Sequence, residues 1–131
     1  MTDYPVRRKT ETVAILGASM NPTRYSHMAQ LALLEQGHTP VPVNPRYEEI
    51  DGVRCYPDLR SIPVTIDTIT VYVRPVILTT MTEDLIQARP GRVIFNPGSE
   101  SREVSARLEA EGISVRNACT LVLLSTSSFS S

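Results

Sequence analysis

The hydrophobic residues of this chain fall into two alternating patterns. Short runs rich in Val, Ile, Leu and Thr end at Gly, Pro or Asn, which is typical of buried strands. These runs cover residues 12–17, 39–45, 67–73, 91–98 and 113–119. Between them, apolar residues recur at helical spacing over 25–36, 76–88 and 99–112. The alternation predicts an α/β fold of three α/β/α layers around a five-stranded, mainly parallel sheet.

Composition shifts predict where the folded domain begins and ends. Residues 1–11 are polar and basic, lack the apolar segment of a secretory signal, and are interpreted as a flexible leader. Residues 12–125 then form one domain, and residues 126–131 form a Ser-rich tail. Pro40 and Pro42 favour an edge position for the second strand, because proline cannot donate to a sheet ladder.

The less regular segments allow more than one structure. Residues 46–63 are predicted to be an irregular connection, in which 51–57 add a small strand or a hairpin. Either Ser99 or Ser101 is suited to cap the helix that follows the fourth strand. The apolar run that begins at Thr120 continues as a short helix or as a strand.

The strand exits carry the candidate chemistry, because ligands of open parallel sheets bind outside the carboxyl ends of the strands. The five exits are Gly17-Ala18-Ser19, Val43-Asn44-Pro45-Arg46, Val73-Arg74-Pro75, Asn96-Pro97-Gly98 and Asn117-Ala118-Cys119. The first exit leads into a helix that begins near Tyr25, whose free N–H groups and dipole favour a phosphate. Its small residues allow close approach, and Arg24 is near enough to reach the same phosphates. The alternative is that Gly17 only permits a tight turn.

Residues at the second exit restrict which phosphate compounds the site is suited to bind. A dinucleotide-binding fold normally has G-x-G-x-x-G and an acidic residue about 20 positions later that binds the ribose hydroxyls. Here the first exit has one glycine, and the second exit has Asn44 with Arg46 beside it. An arginine in that place favours a phosphate on the ribose. NADP and coenzyme A both carry one, and the residues do not choose between them.

Residues suited to acid–base or nucleophilic catalysis are few. His27 either points into the crevice or covers the helix surface, and the lack of an evident partner favours the surface. His38 is interpreted as a loop residue and Cys55 as structural. Cys119 either faces the ligand or is a small buried residue. We find no nucleophile elbow and no catalytic cysteine signature, so the sequence favours a binding protein over an enzyme.

Overall composition excludes several classes of partner. The formal net charge is −1, so no basic field argues for nucleic acid, although the cations are twelve Arg and only one Lys. No apolar run approaches the length of a membrane span. The two cysteines have neither metal-ligand spacing nor a disulfide framework, and we expect a reducing, cytoplasmic location. Exposed strands at a sheet edge would permit a homodimer, and a protein partner is not identified.

Several segments together resemble the small single-domain CoA-binding proteins, which are similar to the CoA-binding domain of the succinyl-CoA synthetase alpha subunit. The matching segments are VAILGAS with NPTRYS, GHTPVPVNPR, IDGVRCYPDL, IDTITVYVRP, VIFNPGSE and GISVRNACTLV. They occur in the family's order and cover roughly residues 12–124. The resemblance implies a Rossmann-like fold that binds coenzyme A.

The resemblance also implies roles for individual residues. It implies that Gly17, Ala18, Ser19 and Arg24 hold the phosphates, and Tyr25 beside them is a further candidate for cofactor binding. It also implies that Val43, Asn44 and Pro45 border the adenosine end, that Val73 and Arg74 lie along the crevice, and that Asn117 and Cys119 lie nearer the pantetheine. Catalysis in the synthetase depends on a phosphorylated histidine in a second domain, and this chain has no histidine in a matching motif. The predicted function is therefore non-catalytic binding of CoA or acyl-CoA. The alternatives are a small NADP-dependent oxidoreductase and an accessory subunit of a CoA ligase.

Overall fold

Seven strands and five helices are present in a computed structural model that describes residues 10–130. The strands are β1 Thr12–Leu16, β2 Thr39–Val43, β3 Glu49–Ile50, β4 Val53–Arg54, β5 Thr68–Val71, β6 Arg92–Phe95 and β7 Ser114–Asn117. The helices are α1 Tyr25–Glu35, α2 Pro75–Leu78, α3 Thr82–Ala88, α4 Arg102–Ala110 and α5 Thr120–Ser125, with 3₁₀ turns at Leu59–Ser61 and Thr79–Met81. None of these helices has the length and apolar character that a membrane span requires.

Five of the strands form one parallel sheet in the order β2-β1-β5-β6-β7. The prediction of a Rossmann-like α/β fold with a five-stranded sheet is confirmed, and the Pro-containing strand β2 lies at the edge. Alternate residues of β1 point to opposite faces: Val13 and Ile15 join one core cluster, and Ala14 and Leu16 join the other. Both faces are therefore covered by apolar side chains from the helices.

The connection after β2 contains the small hairpin that the sequence allowed. Strands β3 and β4 pair antiparallel through Glu49–Arg54 and Ile50–Val53. The two turn residues Asp51 and Gly52 have φ values of 51° and 79°. Positive φ at both central positions gives the turn the twist that a two-residue hairpin needs.

One helical segment differs from the sequence prediction, and at a second the structure selects between the two capping residues that the sequence allowed. The helix predicted over 76–88 is divided into α2, a 3₁₀ turn and α3. At the division, the hydroxyl groups of Thr79 and Thr80 donate to the carbonyls of Pro75 and Ile77, at 2.9 and 2.6 Å. Such side-chain bonds compete with the helical ladder and explain the local tightening. At α4, Ser101 is the capping residue, since its hydroxyl accepts from the Val104 N–H at 3.2 Å.

A polar network ties the amino ends of the strands together. The Arg92 guanidinium donates to the Thr68 hydroxyl at 2.8 Å and lies 3.3 Å from a Glu11 carboxylate oxygen, while Thr68 also bonds to Glu11. Arg92 further donates to the Phe129 carbonyl at 2.6 Å and stacks over its ring at 4.4 Å. His38 contacts the edge of the same ring, and burial lowers the pKa of this histidine.

The Phe129 contacts also show how the segment set apart as a Ser-rich tail is placed. The Phe129 side chain is 2% exposed and belongs to the core cluster that contains Ile15 and Leu33. Its backbone N–H donates to the Leu123 carbonyl at 3.1 Å. Residue 129 therefore packs with the domain and closes one end of the core.

We expect Phe129→Ala to lower the free energy of unfolding by about 3–5 kcal/mol, the usual cost of removing a buried aromatic side chain. Phe129→Leu keeps most of the volume and is expected to cost less than about 1.5 kcal/mol. Urea unfolding followed by circular dichroism measures both. A loss below about 1 kcal/mol for the alanine variant would show that the core does not depend on this residue.

The turn after β1 requires glycine on two grounds. Gly17 has a φ of 93°, which residues with a side chain rarely adopt. A Cβ at this position would also lie 3.0 Å from a Val73 methyl group and 3.3 Å from the Tyr72 backbone. The conformation lets the N–H groups of Gly17 and Ala18 both donate to the Val43 carbonyl, each at 3.2 Å. The ends of β1 and β2 are thereby joined.

We expect Gly17→Ala to destabilise the fold by about 1–3 kcal/mol, because it adds steric contact to backbone strain. Gly112→Ala is the matched control, since Gly112 has a φ of 80° but nothing within 4 Å of a Cβ. Thermal unfolding of the two variants separates the contribution of strain from that of contact. Equal losses would contradict the role assigned to the Val73 contact.

Candidate functional site

The candidate site lies where the sheet order reverses. Strand β1 is followed in space by β2 on one side and by β5 on the other. The loops that leave β1 and β5 therefore turn to opposite faces of the sheet and leave a crevice between them. Two adjoining pockets occupy this crevice, and Gly17 and Asn44 line both.

The first pocket is polar and rich in arginine. It has a volume of about 540 Å³, and Arg24, Arg46 and Arg74 line it. No aspartate or glutamate lines it, and these three guanidinium groups form no ion pair among the described residues. The other lining residues are Gly17, Ala18, Ser19, Asn21, Tyr25, Ser26, Asn44, Tyr47, Tyr72, Pro97, Gly98 and Ser99. Three uncompensated cations in one pocket favour an anionic ligand with more than one charged group.

The backbone donors of this polar pocket differ from those that the sequence suggests. The N–H groups of Gly17 and Ala18 are used by the Val43 carbonyl and are not free for a ligand. In the described part of the chain, the N–H groups of Ser19, Tyr25 and Ser26 have no such partner. The cap residue Arg24 also leaves the start of α1 without a side-chain acceptor. These donors are therefore available to an anion at the helix N-terminus.

Asn44 holds the two neighbouring exits together. Its amide nitrogen donates to the Ala18 carbonyl at 2.8 Å, and its amide oxygen accepts from the Arg46 N–H at 2.9 Å. The backbone N–H of Asn44 donates to the Tyr56 carbonyl at 2.9 Å. This residue, at the place where a dinucleotide-binding fold has its carboxylate, thus positions Arg46 and the turn after β1.

The second pocket is smaller and mainly apolar, with a volume of about 240 Å³. Its walls come from the ends of β1 and β2, from the segment after β5, from the segment 57–59, and from α2, the turn after it and the start of α3. The lining residues are Leu16, Gly17, Val43, Asn44, Pro45, Pro57, Asp58, Leu59, Val73, Ile77, Met81 and Asp84. An apolar slot beside an arginine-rich pocket suits a ligand that has both an aromatic ring and phosphates.

Ten of the twelve residues expected from the sequence line these two pockets. Seven contact the polar pocket, namely Gly17, Ala18, Ser19, Arg24, Tyr25, Asn44 and Arg74, and Val43, Pro45 and Val73 line the apolar one. Asn117 and Cys119, at the fifth exit, line neither of them. Asn117 is exposed at the edge strand, and Cys119 is half-buried in front of α5.

Tyr72 lines the polar pocket, although no pattern in the sequence predicts it there. Burial raises the pKa of Tyr72 to about 12, so its hydroxyl is neutral near pH 7. The hydroxyls of Thr70 and Thr120 are nearby but bond to each other at 2.8 Å. Within residues 10–130 the buried Tyr72 oxygen makes no hydrogen bond. In the β-branched run at 67–73, a tyrosine reads as one more apolar strand residue, so the sequence does not indicate that Tyr72 lines a polar pocket.

His27 and Cys55 line neither of the two pockets. The expectation that His27 covers the helix surface is wrong: it is 6% exposed, and its Nε2 lies 2.7 Å from an Asp51 carboxylate oxygen. This contact joins α1 to the β3–β4 hairpin, outside both pockets. Cys55 is buried with its thiol donating to the Asn44 carbonyl at 3.5 Å, and burial raises the pKa of the thiol. Among residues 10–130, no cluster of three potential metal ligands is present.

Comparison with known proteins gives relatives of similar length. The chain is 27% identical over 110 residues to the uncharacterized protein YneT of Bacillus subtilis, covering 84% of this chain and 82% of YneT. The structure of a hypothetical protein from Pyrococcus horikoshii has a TM-score of 0.82 and 31% identity, covering 87% of this chain and 81% of that one.

A longer relative is an enzyme subunit, and a family model matches nearly the whole chain. The alpha subunit of an ADP-forming acetate–CoA ligase from Pyrococcus furiosus is 32% identical over 106 residues, which are 79% of this chain and 23% of the subunit. The model of the CoA binding domain matches residues 11–125. Together with the fold and the paired pockets at the strand exits, this match places the chain in the CoA binding domain family.

Proposed function

We propose that this protein binds coenzyme A, or an acyl-CoA thioester, in the two adjoining pockets and catalyses no reaction on it. The observation that carries the proposal is the placement of three arginines without a carboxylate beside an apolar slot. Coenzyme A combines an adenine ring, a pyrophosphate and a ribose phosphate in one molecule. Its separate anionic groups match separate guanidinium groups.

The pyrophosphate is assigned to the start of α1. The N–H groups of Tyr25 and Ser26 belong to the first turn of α1, the end of the helix that carries partial positive charge, and Ser19 lies in the loop before it. Arg24, which precedes this helix, and Arg74, at the β5 exit, both line the polar pocket. Backbone donors and guanidinium groups together suit two linked phosphates better than either set alone.

The ribose phosphate is assigned to Arg46. Its backbone is held by the Asn44 amide oxygen at 2.9 Å, at the exit where ribose hydroxyls of a dinucleotide would require a carboxylate. The adenine ring then occupies the apolar pocket between Val43, Pro45 and Val73. NADP would satisfy the same arginine, and membership in the CoA binding domain family favours CoA over NADP.

The absence of catalysis is proposed from the state of the titratable groups. His27 is held by Asp51 outside the pockets, and Tyr72 is neutral near pH 7. The two carboxylates of the apolar pocket are engaged: Asp58 caps the turn at Ser61, and Asp84 pairs with Arg60 at 2.7 Å. No side chain among these is positioned as an unengaged general base.

A second candidate function is that of an accessory subunit of a CoA ligase. It is favoured by the 32% identity to the acetate–CoA ligase alpha subunit, of which the chain spans 23%. In that case the CoA site would be the same, and the reaction would need residues that a partner protein supplies. Acyl-CoA incubated with this protein alone is then expected to stay intact under either function.

We expect coenzyme A to raise the thermal midpoint of unfolding, because a ligand that binds only the folded state stabilises it. At 100 times its dissociation constant the gain is about 2.7 kcal/mol. Scanning fluorimetry and isothermal titration calorimetry with CoA, acetyl-CoA, NADP and NAD make the comparison. A shift with NADP and none with millimolar CoA would refute CoA as the ligand.

We expect Arg46→Ala to weaken CoA binding by about tenfold or more, because a charged hydrogen bond to a phosphate contributes about 1.5–3 kcal/mol. Dephospho-CoA, which lacks the ribose phosphate, is expected to bind the variant and the unchanged protein equally. Arg102→Ala, on the exposed surface of α4, is the matched control for loss of one charge. Equal weakening of CoA and dephospho-CoA would contradict the assignment of Arg46.

A further inference from the structure

The outer face of α1 exposes several large apolar side chains. The helix buries Ala29 and Leu33 against the sheet. On the opposite side, Met28 and Leu31 are 38% and 47% exposed. Tyr25 and Leu34 flank them at 69% and 45% exposure, and no segment among the described residues covers this face. Large apolar side chains grouped on one exposed helix face are typical of an interaction site.

The spacing of this face is that of a helix–helix seam. Arg24, Met28, Leu31 and Glu35 follow one another at intervals of four, three and four residues, and all four are exposed. This 4-3-4 spacing keeps side chains on one line along a helix that packs against another helix. The central pair is apolar, and the two ends carry opposite charges.

The charges at the two ends of this face favour a second copy of α1 as the partner, packed in the antiparallel direction. Glu35 is the only carboxylate or guanidinium residue within α1, and Arg24 is the residue that precedes the helix. If a second copy of α1 packs antiparallel about a two-fold axis between Ala29 and Gln30, Met28 faces Leu31 of that copy. The same operation places Arg24 opposite Glu35 of that copy. A parallel arrangement would instead oppose like charges, which is unfavourable.

We propose that the α1 face joins two copies of this chain in an antiparallel, two-fold dimer. The surface is complementary to itself, as a two-fold interface requires, and each contact is made twice. The edge of β2 is a poorer site for self-association. Pro40 and Pro42 provide no N–H there, and the Tyr56 backbone already bonds to Pro42 and Asn44 at 2.9 Å.

The first experiment measures the mass of the full chain in solution by sedimentation and light scattering over a range of concentrations. It uses no added nucleotide, because Arg24 also lines the polar pocket. The expected mass is twice the 14.5 kDa of one chain. Leu31→Glu is expected to give a monomer, because it places two carboxylates in the apolar centre of the seam. Val76→Glu, at a residue 72% exposed on α2, is the matched control and is expected to leave the dimer intact.

Charge exchange tests the direction of the helices. Arg24→Glu and Glu35→Arg are each expected to raise the dimer dissociation constant by about tenfold, because each opposes like charges twice. The double variant restores opposite charges and is expected to return the dissociation constant to within about threefold of the original. Thermal unfolding of every variant verifies that the fold is kept.

Three outcomes would overturn the proposal. One is a chain that stays monomeric at every concentration, which would leave the face to a different protein. Another is a dimer that Leu31→Glu does not weaken, which would place the interface elsewhere. The third is a double charge variant that dimerises no better than its single parents, which would exclude the antiparallel register.

Discussion

The junction of the β1 and β2 ends determines most of this structure. Gly17, with its φ of 93°, brings two consecutive N–H groups to one acceptor, the Val43 carbonyl. The side-chain amide of Asn44 adds a further bond between the two strand exits by donating to the Ala18 carbonyl. These bonds hold the exits of neighbouring parallel strands side by side, and both pockets are built on that shared base. Glycine also permits the close approach of this turn to the residues after β5, because a Cβ at position 17 would lie 3.0 Å from a Val73 methyl group.

The arginines at the two ends of the sheet differ in whether their charge is paired. At the amino ends of the strands, Arg92 is surrounded by Glu11, Thr68 and the Phe129 carbonyl, so its charge is neutralised and contributes to packing. At the carboxyl ends, Arg24 and Arg46 line an open pocket without a carboxylate. The first arrangement stabilises the fold, and the second leaves positive charge available for a ligand.

Much of the fold was predictable because its signals are local. The β-branched runs that end at Gly, Pro or Asn mark all five strands of the main sheet, and Gly37 follows the end of α1. The division of the helix near Thr79 and the burial of Phe129 were not predicted. The first depends on hydroxyl bonds to particular carbonyls, and the second on contacts with residues far along the chain. Neither leaves a periodic pattern in the sequence.

The sequence by itself determined the alternation of strands and helices, the phosphate-favouring turn before α1 and the missing carboxylate after β2. Each of these depends on residue types at short spacing, which a linear pattern carries. Only the tertiary structure decided three features of the site. The N–H groups of Gly17 and Ala18 donate to the Val43 carbonyl, His27 is buried against Asp51, and Tyr72 lines the polar pocket. These features depend on contacts between residues that are far apart in the sequence, and packing in three dimensions determines those contacts.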